Sequence, residues 1–313
     1  MPPLVSVIMP TFNRLEFLPA ALASLEAQTF TDWELIIADD GSELPTRRYL
    51  QQLAAPPRVR VLWLAHSGRP AVARNAALAL ARGEFVAFLD SDDLWLPAKL
   101  ARQLASLRAH PGRQWSYTAF ALVDAAGRRR SAPCPAQQRA PAGNILARLL
   151  AGQTVIALPS VIVARRVLGE LGAFDETLVM CEDDELWLRL AAHGEIDGLD
   201  EPLTLVRRHD RHCGDDATAW RDRRRVFEKA LRATGDAQLA GTLRRLRAEM
   251  SAGLARSQAR AARRAGALAT LAASARYSWR YRQWWRGALQ ALGCAFAPAT
   301  LRALARRRRA HTR

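Results

Sequence analysis

Three carboxylates, Asp90, Asp92 and Asp93, crowd into "LDSDD" at the end of the apolar run "EFVAFLD". Like charges this close repel, so something positive is expected among them. Carboxylates at i and i+2 just past a strand end can converge on one hard divalent cation. Mg2+ takes one or two carboxylates and completes its shell from phosphate oxygens and water, and Mn2+ accepts the same oxygen ligands. Two carboxylates, Mg2+ or Mn2+, and a diphosphate then form a charge-balanced set. The competing reading is an acidic turn in which Asp92 or Asp93 caps the following helix. On this short stretch alone both readings stand.

Other segments carry related chemistry. "ADDGS" (38–42) places Asp40 where a carboxylate can accept hydrogen bonds from a base N–H or a ribose hydroxyl. "GRPAVARN" supplies Arg69 and Arg74, whose planar forks suit phosphate. "CEDDELW" adds Glu182, Asp183, Asp184 and Glu185 at the start of a helical pattern. Acids in a first turn favour the helix dipole. Four in a row exceed that need, and crowding raises carboxylate pKa values toward those of a general base. His209, His212 and Cys213 have no partner pair at zinc spacing. Neither a G-x-G-x-x-G after the first strand, a P-loop, nor a G-x-S-x-G elbow occurs.

The elements that must position these groups alternate. "LVSVIMP", "WELIIADDGS", "VRVLWLA" and "EFVAFLD" read as buried strands, separated by the helical patterns "EFLPAALASLEAQ", "TRRYLQQLA" and "PAVARNAALALARG". Such alternation predicts a mostly parallel α/β sheet with helices on both faces and ligands at the carboxyl ends of the strands. Thr11 and Asn13, Asp39 and Asp40, His66 and Gly68, and Asp90 to Asp93 all follow strand ends. Further on, "PAKLARQLASLRAH" is a helix, "WSYTAFALVD" leads to a turn, and residues 131–143 form a Pro-rich loop. In "CEDDELWLRLAAHG", Leu186, Leu190 and Ala191 share one helix face closed by Gly194; "EPLTLVRRH" is the last strand. Beyond 214 the pattern is helical, with Leu239, Leu243, Leu246, Met250 and Leu254 on one stripe. Two domains are expected, 1–213 and 214–313.

"VSVIMPTFNR", "WELIIADDGS", "GRPAVARNAAL…ARGEFVAFLDSDDLWLP" and "GAFDETL…CEDDELWLRL" together resemble the family 2 glycosyltransferases of the GT-A fold over about residues 4–210. The resemblance implies a GT-A-type catalytic domain that inverts the sugar's stereocentre. It implies a nucleotide-sugar donor bound by Pro10, Thr11, Asn13, Asp40, Arg69, Arg74, Asp90 and Ser91. Within it, Asp40 would read the base, Asp90 would face the ribose, and Asp92 would hold the metal with His209 as a second contact. Asp183 would be the catalytic base, with Asp184 as the alternative. Uracil is the implied base, with guanine and thymine open. The implied acceptor is a hydroxyl of a saccharide or lipid-linked saccharide in bacterial cell-surface polysaccharide synthesis.

The charge is divided. Residues 1–210 hold 22 Lys+Arg against 24 Asp+Glu, whereas 211–313 hold 24 against 6, a net of +18. A polyanionic partner for the tail is expected, either anionic lipid or nucleic acid. "YSWRYRQWWRGALQALGCAFAPATLRALARRRR" mixes Trp, Tyr and Arg with apolar residues, which favours a membrane interface over nucleic acid. Packing on the catalytic domain, or pairing into a homodimer, is the alternative for these helices. Four scattered cysteines read as reduced thiols, no apolar stretch reaches membrane-span length, and the N-terminus lacks a signal-peptide pattern. A cytoplasmic protein at the inner face of the membrane is the consistent expectation. A non-enzymatic polyanion-binding protein would account for the tail but for neither acidic cluster.

Overall fold

The computed structural model describes residues 2–53, 58–129, 139–208 and 216–296. The chain divides into two compact units, Met1–His212 and Cys213–Arg313. The first is built on one eight-stranded sheet. Its strands are β1 (Val5–Thr11), β2 (Trp33–Asp39), β3 (Val59–Trp63), β4 (Phe85–Phe88), β5 (Leu94–Trp95), β6 (Trp115–Val123), β7 (Val161–Ala164) and β8 (Asp197–Arg207). They lie in the order β3-β2-β1-β4-β7-β6-β8-β5. The helices of this unit are α1 (Leu18–Glu26), α2 (Leu44–Leu53), α3 (Pro70–Leu78), α4 (Lys99–Ala109), α5 (Leu146–Leu150), α6 (Arg165–Leu171) and α7 (Glu182–His193).

The expected α/β fold is present. Strands β3, β2, β1 and β4 run parallel, and β6 pairs parallel with β8. Pairings β4–β7, β7–β6 and β8–β5 are antiparallel, so the second half of the sheet is mixed. The parallel half is buried on both faces, which is why its strands read as continuous apolar runs. Alternate residues serve opposite layers: Ile8, Ile36 and Phe88 enter the core shared with α3 and α7. Val7, Met9, Leu35 and Ile37 enter the one shared with α1 and α4. Register sets Thr11 beside Asp39, and Asp39 beside Trp63. Parallel strands in this register deliver their carboxyl ends to one edge.

The opposite end of the parallel strands is stitched by a buried acid. Glu34 accepts from Ser6 Oγ at 2.7 Å, from the Arg82 backbone at 2.9 Å, and from the Arg82 and Arg60 guanidinium groups at 2.9 Å. Ser6 Oγ in turn accepts from the Gly83 N–H. A side chain on Gly83 would meet the backbone of Ser6 and Val5, so only glycine permits this approach.

The second unit contains α8 (Asp216–Ala233), α9 (Ala237–Arg260), α10 (Arg264–Ser278) and α11 (Arg282–Phe296). Of the expected stripe, Leu243, Leu246 and Leu254 are buried in α9, and Leu239 and Met250 are half-buried. Small residues complete the packing: Ala248, Ala252 and Ala255 meet Trp284, Ala288 and Ala291 of α11. A methyl on Gly287 would lie 2.6 Å from the Ala252 side chain, so the two helices touch nearly backbone to backbone.

Glu34 generates an acid-stability prediction. Burial pushes its carboxyl up, but the Ser6 and Arg82 hydrogen bonds and the Arg60 charge outweigh this and hold it below the ordinary value. A depressed folded-state pKa contributes stability at neutral pH that is lost as pH falls through the folded value. Glu34→Gln should therefore cost about 1–3 kcal/mol at pH 7, from lost charge-assisted hydrogen bonds. Urea midpoints for parent and variant should converge as the pH falls through the folded-state value, below the ordinary glutamate range; a constant gap would refute the electrostatic origin.

Candidate active site

The groups singled out by sequence arrive from the parallel edge and from α7. At the end of β1, Pro10 is half-buried opposite Ala38 of β2, and Thr11 follows with its Oγ1 buried and without a hydrogen-bond partner. An orphaned buried hydroxyl at a strand end is a group a ligand can satisfy. Asn13 adopts the left-handed conformation, with φ of 52°. Its backbone N–H donates to Ser42 Oγ, and its side-chain oxygen accepts from the Glu43 N–H, both at 2.8 Å. The two turns after β1 and β2 are thereby fastened together. Gly41 permits the second turn, having φ of 79° and the His66 backbone at contact distance.

Asp40 is buried and engaged by the loop after β3. Its carboxylate accepts from Ser67 N and Oγ at 2.8 Å and from Gly68 N at 2.9 Å, with His66 Nδ1 3.1 Å away. A carboxylate offers about four lone-pair positions, and His66 Nδ1 lies closer to the Asp40 carbonyl, at 2.8 Å, so with three donors on the carboxylate a further N–H can still be accepted. Between Thr11 and Asn13 stands Phe12, 39% exposed, its ring stacked on His66 at a centroid distance of 4.0 Å. Phe12 is not among the residues that motif spacing singles out. The available signal was one large aromatic inside an otherwise polar turn at a strand end. An exposed stacked pair beside a hydrogen-bonding carboxylate has the make-up of a base-binding surface.

In "LDSDD" the carboxylates part company. Asp93 is buried and accepts from the Arg207 N–H at 2.7 Å, while Arg207 Nε donates to the Asp92 carbonyl at 2.7 Å. Burial, with the charges of Asp92 and Asp90, pushes Asp93 well above the ordinary carboxylate range. Asp93 and Arg207 thus hold the turn itself. Ser91 is buried in the turn. Asp92 remains partly accessible, with Arg14 Nε 3.7 Å away.

Arg74, read from sequence as a phosphate ligand, is buried and directs its fork at two carboxylates. Its Nη2 donates to Asp90 at 2.8 Å and its Nη1 to Glu182 at 2.6 Å. Burial opposes the charged guanidinium, but the two acids outweigh it and raise its pKa. This pair of bonds ties the end of β4 to the start of α7. Its neighbour Asn75 donates to the Phe174 carbonyl at 2.9 Å and accepts from the Phe174 N–H at 3.0 Å, fixing the loop before α7 to α3. Arg189 holds that loop from the far side through the carbonyls of Leu171, Gly172 and Ala173. Arg69 is exposed at the α3 N-terminus and donates to the Glu176 carbonyl at 3.1 Å.

Asp183 follows Glu182 and is half-buried. Burial, the neighbouring Asp184 and Glu182 charges push its carboxyl up to about 8, against the pull of the Asp184 N–H and of Arg74. Leu186, Leu190 and Ala191 are all buried, as their spacing implied, and Glu182 and Glu185 of the acidic first turn are buried with them. His209, the second expected metal contact, lies outside the described residues.

Residues 6–129 match the family model described as glycosyl transferase family 2. Over 122 residues, 39% of this chain and 48% of the relative, the sequence is 41% identical to TuaG of Bacillus subtilis (strain 168), whose name connects it with teichuronic acid biosynthesis. Over 104 residues, 33% of this chain and 41% of the relative, it is 39% identical to WfgD of Escherichia coli. That protein is named as a UDP-Glc:alpha-D-GlcNAc-diphosphoundecaprenol beta-1,3-glucosyltransferase. The chain thus spans under half the length of these curated relatives. Among solved structures it resembles S. aureus TarS 1-349 in complex with UDP, with a TM-score of 0.65, 21% identity, and coverage of 90% of this chain and 92% of that one. At that identity the likeness is one of fold.

The Arg74 bridge carries its own prediction. Arg74→Leu would leave the buried Glu182 and the half-buried Asp90 without their counter-charge, and breaking a buried pair in this way costs about 3–5 kcal/mol. Chemical denaturation should show that loss at neutral pH. A variant within about 0.5 kcal/mol of the parent, the usual range for a neutral surface change, would mean that the two acids do not depend on Arg74.

Proposed function

We propose, from the premise that residues 6–129 belong to glycosyl transferase family 2, that this chain is an inverting glycosyltransferase. It would move a sugar from a UDP-linked donor to a hydroxyl of a saccharide or lipid-linked saccharide in cell-surface polysaccharide synthesis. The observation that carries this reading is the bridge from Asp90 through Arg74 to Glu182. It sets a raised-pKa carboxylate, Asp183, beside the edge where the nucleotide motifs end. The uridine donor named for WfgD and the UDP and UDP-GlcNAc complexes of TarS belong to those proteins and support the same donor class here.

The donor's base would rest at Phe12 and His66 with Asp40 accepting its N–H, and the buried Thr11 hydroxyl would find its missing partner in the nucleotide. Asp90, held by Arg74, would face the ribose. Asp92 fits a divalent cation: it is partly accessible, and the cation's remaining ligands can be diphosphate oxygens and water. Among the described residues, no group of three or more His, Cys, Asp or Glu could hold a metal by protein ligands alone. When bound, Mg2+ or Mn2+ would neutralise charge developing on the diphosphate. Exposed Arg69 can add to that neutralisation.

Asp183 would take the proton from the acceptor hydroxyl as its oxygen attacks the anomeric carbon from the face opposite the diphosphate. The new carbon–oxygen bond forms as the bond to the diphosphate breaks, so one displacement inverts the centre. A base is most effective when its pKa lies near the working pH. A carboxyl pushed up to about 8 meets that requirement, where an ordinary one would be too weak. Placement at the inner face of the cytoplasmic membrane follows from the acceptor class proposed and from the basic tail. Among the described residues, no helix is long and apolar enough to cross a membrane.

Asp183→Asn keeps the shape and removes the proton acceptor. Turnover should fall by about 10²–10⁴, with UDP and Mn2+ affinities unchanged. In the parent, kcat/KM should rise with pH and level off above about 8, because only the deprotonated carboxylate accepts a proton, and Asp183→Asn should lack that limb. Asp184→Asn should be milder. Near-normal turnover in both variants would make the cluster a helix terminus and place the base elsewhere.

Metal dependence has a separate check. Asp92→Ala should weaken UDP binding only when Mn2+ is present, as titration calorimetry would show. Equal weakening with and without Mn2+ would assign Asp92 to the nucleotide instead.

A further inference from the structure

The helical unit presents α11 with three distinct faces. One face is buried: Trp284, Gly287, Ala288, Ala291 and Ala295. A second is exposed and apolar: Trp285 is 50% accessible, Leu289 65% and Phe296 65%. At 3.6 residues per turn these three side chains fall within about 40° of one another, so they form a stripe along the helix rather than scattered exposures. The third face carries Arg282 and Arg286, both exposed, immediately beside the stripe. Trp279 is 56% accessible just before the helix, with the Arg280 guanidinium 4.9 Å from its ring. The Trp285 indole N–H donates to the Trp279 carbonyl at 2.7 Å, which joins the two indoles into one exposed patch.

Large exposed apolar side chains in a row need a partner. The surrounding charge says which kind. After Glu249 the chain contains 14 arginines and no Asp or Glu through residue 313. Four of those arginines are consecutive, Arg306 to Arg309, and follow α11 in the sequence. A second copy of this chain would oppose arginine with arginine at a two-fold contact, where the same patch faces itself. Nucleic acid would meet the arginines but leave the Leu289 and Phe296 side chains without an apolar environment. An anionic bilayer satisfies both demands, with indole and aliphatic groups at the acyl boundary and guanidinium groups at the phosphates.

We infer that the Trp285–Leu289–Phe296 stripe of α11, with Trp279 and the flanking arginines, is the surface by which this protein lies on an anionic membrane, in the plane of the headgroups. The assignment rests on the membrane-facing part of the proposed function and is independent of the transfer chemistry. It selects one helix face out of the whole basic unit.

The test is sedimentation of the full chain with vesicles of phosphatidylcholine alone and of phosphatidylcholine with phosphatidylglycerol. The parent should bind only the anionic vesicles, and less so in high salt. Trp285→Ser/Leu289→Ser/Phe296→Ser should bind them at least about tenfold more weakly. All three side chains are exposed, so circular dichroism and UDP binding should match the parent. A parent that ignores anionic vesicles would remove the membrane reading itself. A parent that binds them while the triple variant binds equally well would leave that reading and overturn the stripe. A triple variant that binds vesicles normally but loses a dimer in sedimentation velocity would reassign the stripe to self-association. As a check that does not depend on the triple variant folding, brominated anionic lipid should quench tryptophan fluorescence in Trp279→Phe, where Trp285 is the remaining exposed indole of the patch, and much less in Trp279→Phe/Trp285→Phe. Equal quenching in the two would overturn the placement of Trp285 at the lipid.

Discussion

Arg74 lies 2.8 Å from Asp90 and 2.6 Å from Glu182, and the arrangement of the acidic edge of the first unit depends on that contact. Without it, five carboxylates from two distant segments, Asp90, Asp92, Glu182, Asp183 and Asp184, would repel one another across the edge of the sheet. A buried ion pair of this sort is poor evidence for net stability, because desolvating three charges offsets much of their attraction. Its effect is positional. The guanidinium is planar and rigid, so two bonds fix the distance and angle between a strand end and a helix start. Asp183 owes its raised pKa to its seat next to that helix start, where burial and two acidic neighbours outweigh the single buried cation.

The sheet explains why such a clamp is needed. Its parallel half, β3-β2-β1-β4, ends at one edge and brings Thr11, Asn13, Asp40 and the acidic turn there without further help. Alpha-7 belongs to the other half, past an antiparallel switch at β4–β7, and nothing in the strand order by itself sets where its N-terminus stops. Three devices do so together: Arg74 to Glu182, Asn75 to Phe174, and Arg189 to the carbonyls at 171–173. Two of the three start from consecutive residues of α3. That short helix is therefore the joint between the edge of the parallel half and the acidic start of α7.

Local patterns revealed what is local. Apolar runs of strand length announced β1 to β4, and helical spacing announced the buried face of α7, because both periodicities are set by backbone geometry. The polar residues after each strand were legible as a group for the same reason. What escaped was pairing. Arg74 carries the fork expected of a phosphate ligand, and only the fold shows that two carboxylates already fill it. Asp92 and Asp93 are equivalent candidates for a helix cap by sequence, and only the fold shows Arg207, more than a hundred residues away, holding Asp93. The antiparallel pairings of β7 and β5 likewise depend on contacts between distant segments. So does the small-residue seam between α9 and α11, since alanines on a helix carry no signal of what they touch.

The division of charge along the sequence acquires a physical sense from this. In the first unit, arginines are placed one at a time against specific acids: Arg74 on Asp90 and Glu182, Arg207 on the acidic turn, Arg82 and Arg60 on Glu34. Each is a geometric fastener, and acids and arginines are nearly balanced over residues 1–210. After Glu249 the arginines have no carboxylate in their own stretch of sequence to meet. Guanidinium groups with no acid in their own stretch of sequence, beside an exposed apolar stripe, are suited to a surface that is negative and oily at once. Such a surface would keep the whole chain near a lipid-linked acceptor. Encounter would then be a search in two dimensions, while the clamped edge of the sheet would carry out the proposed transfer.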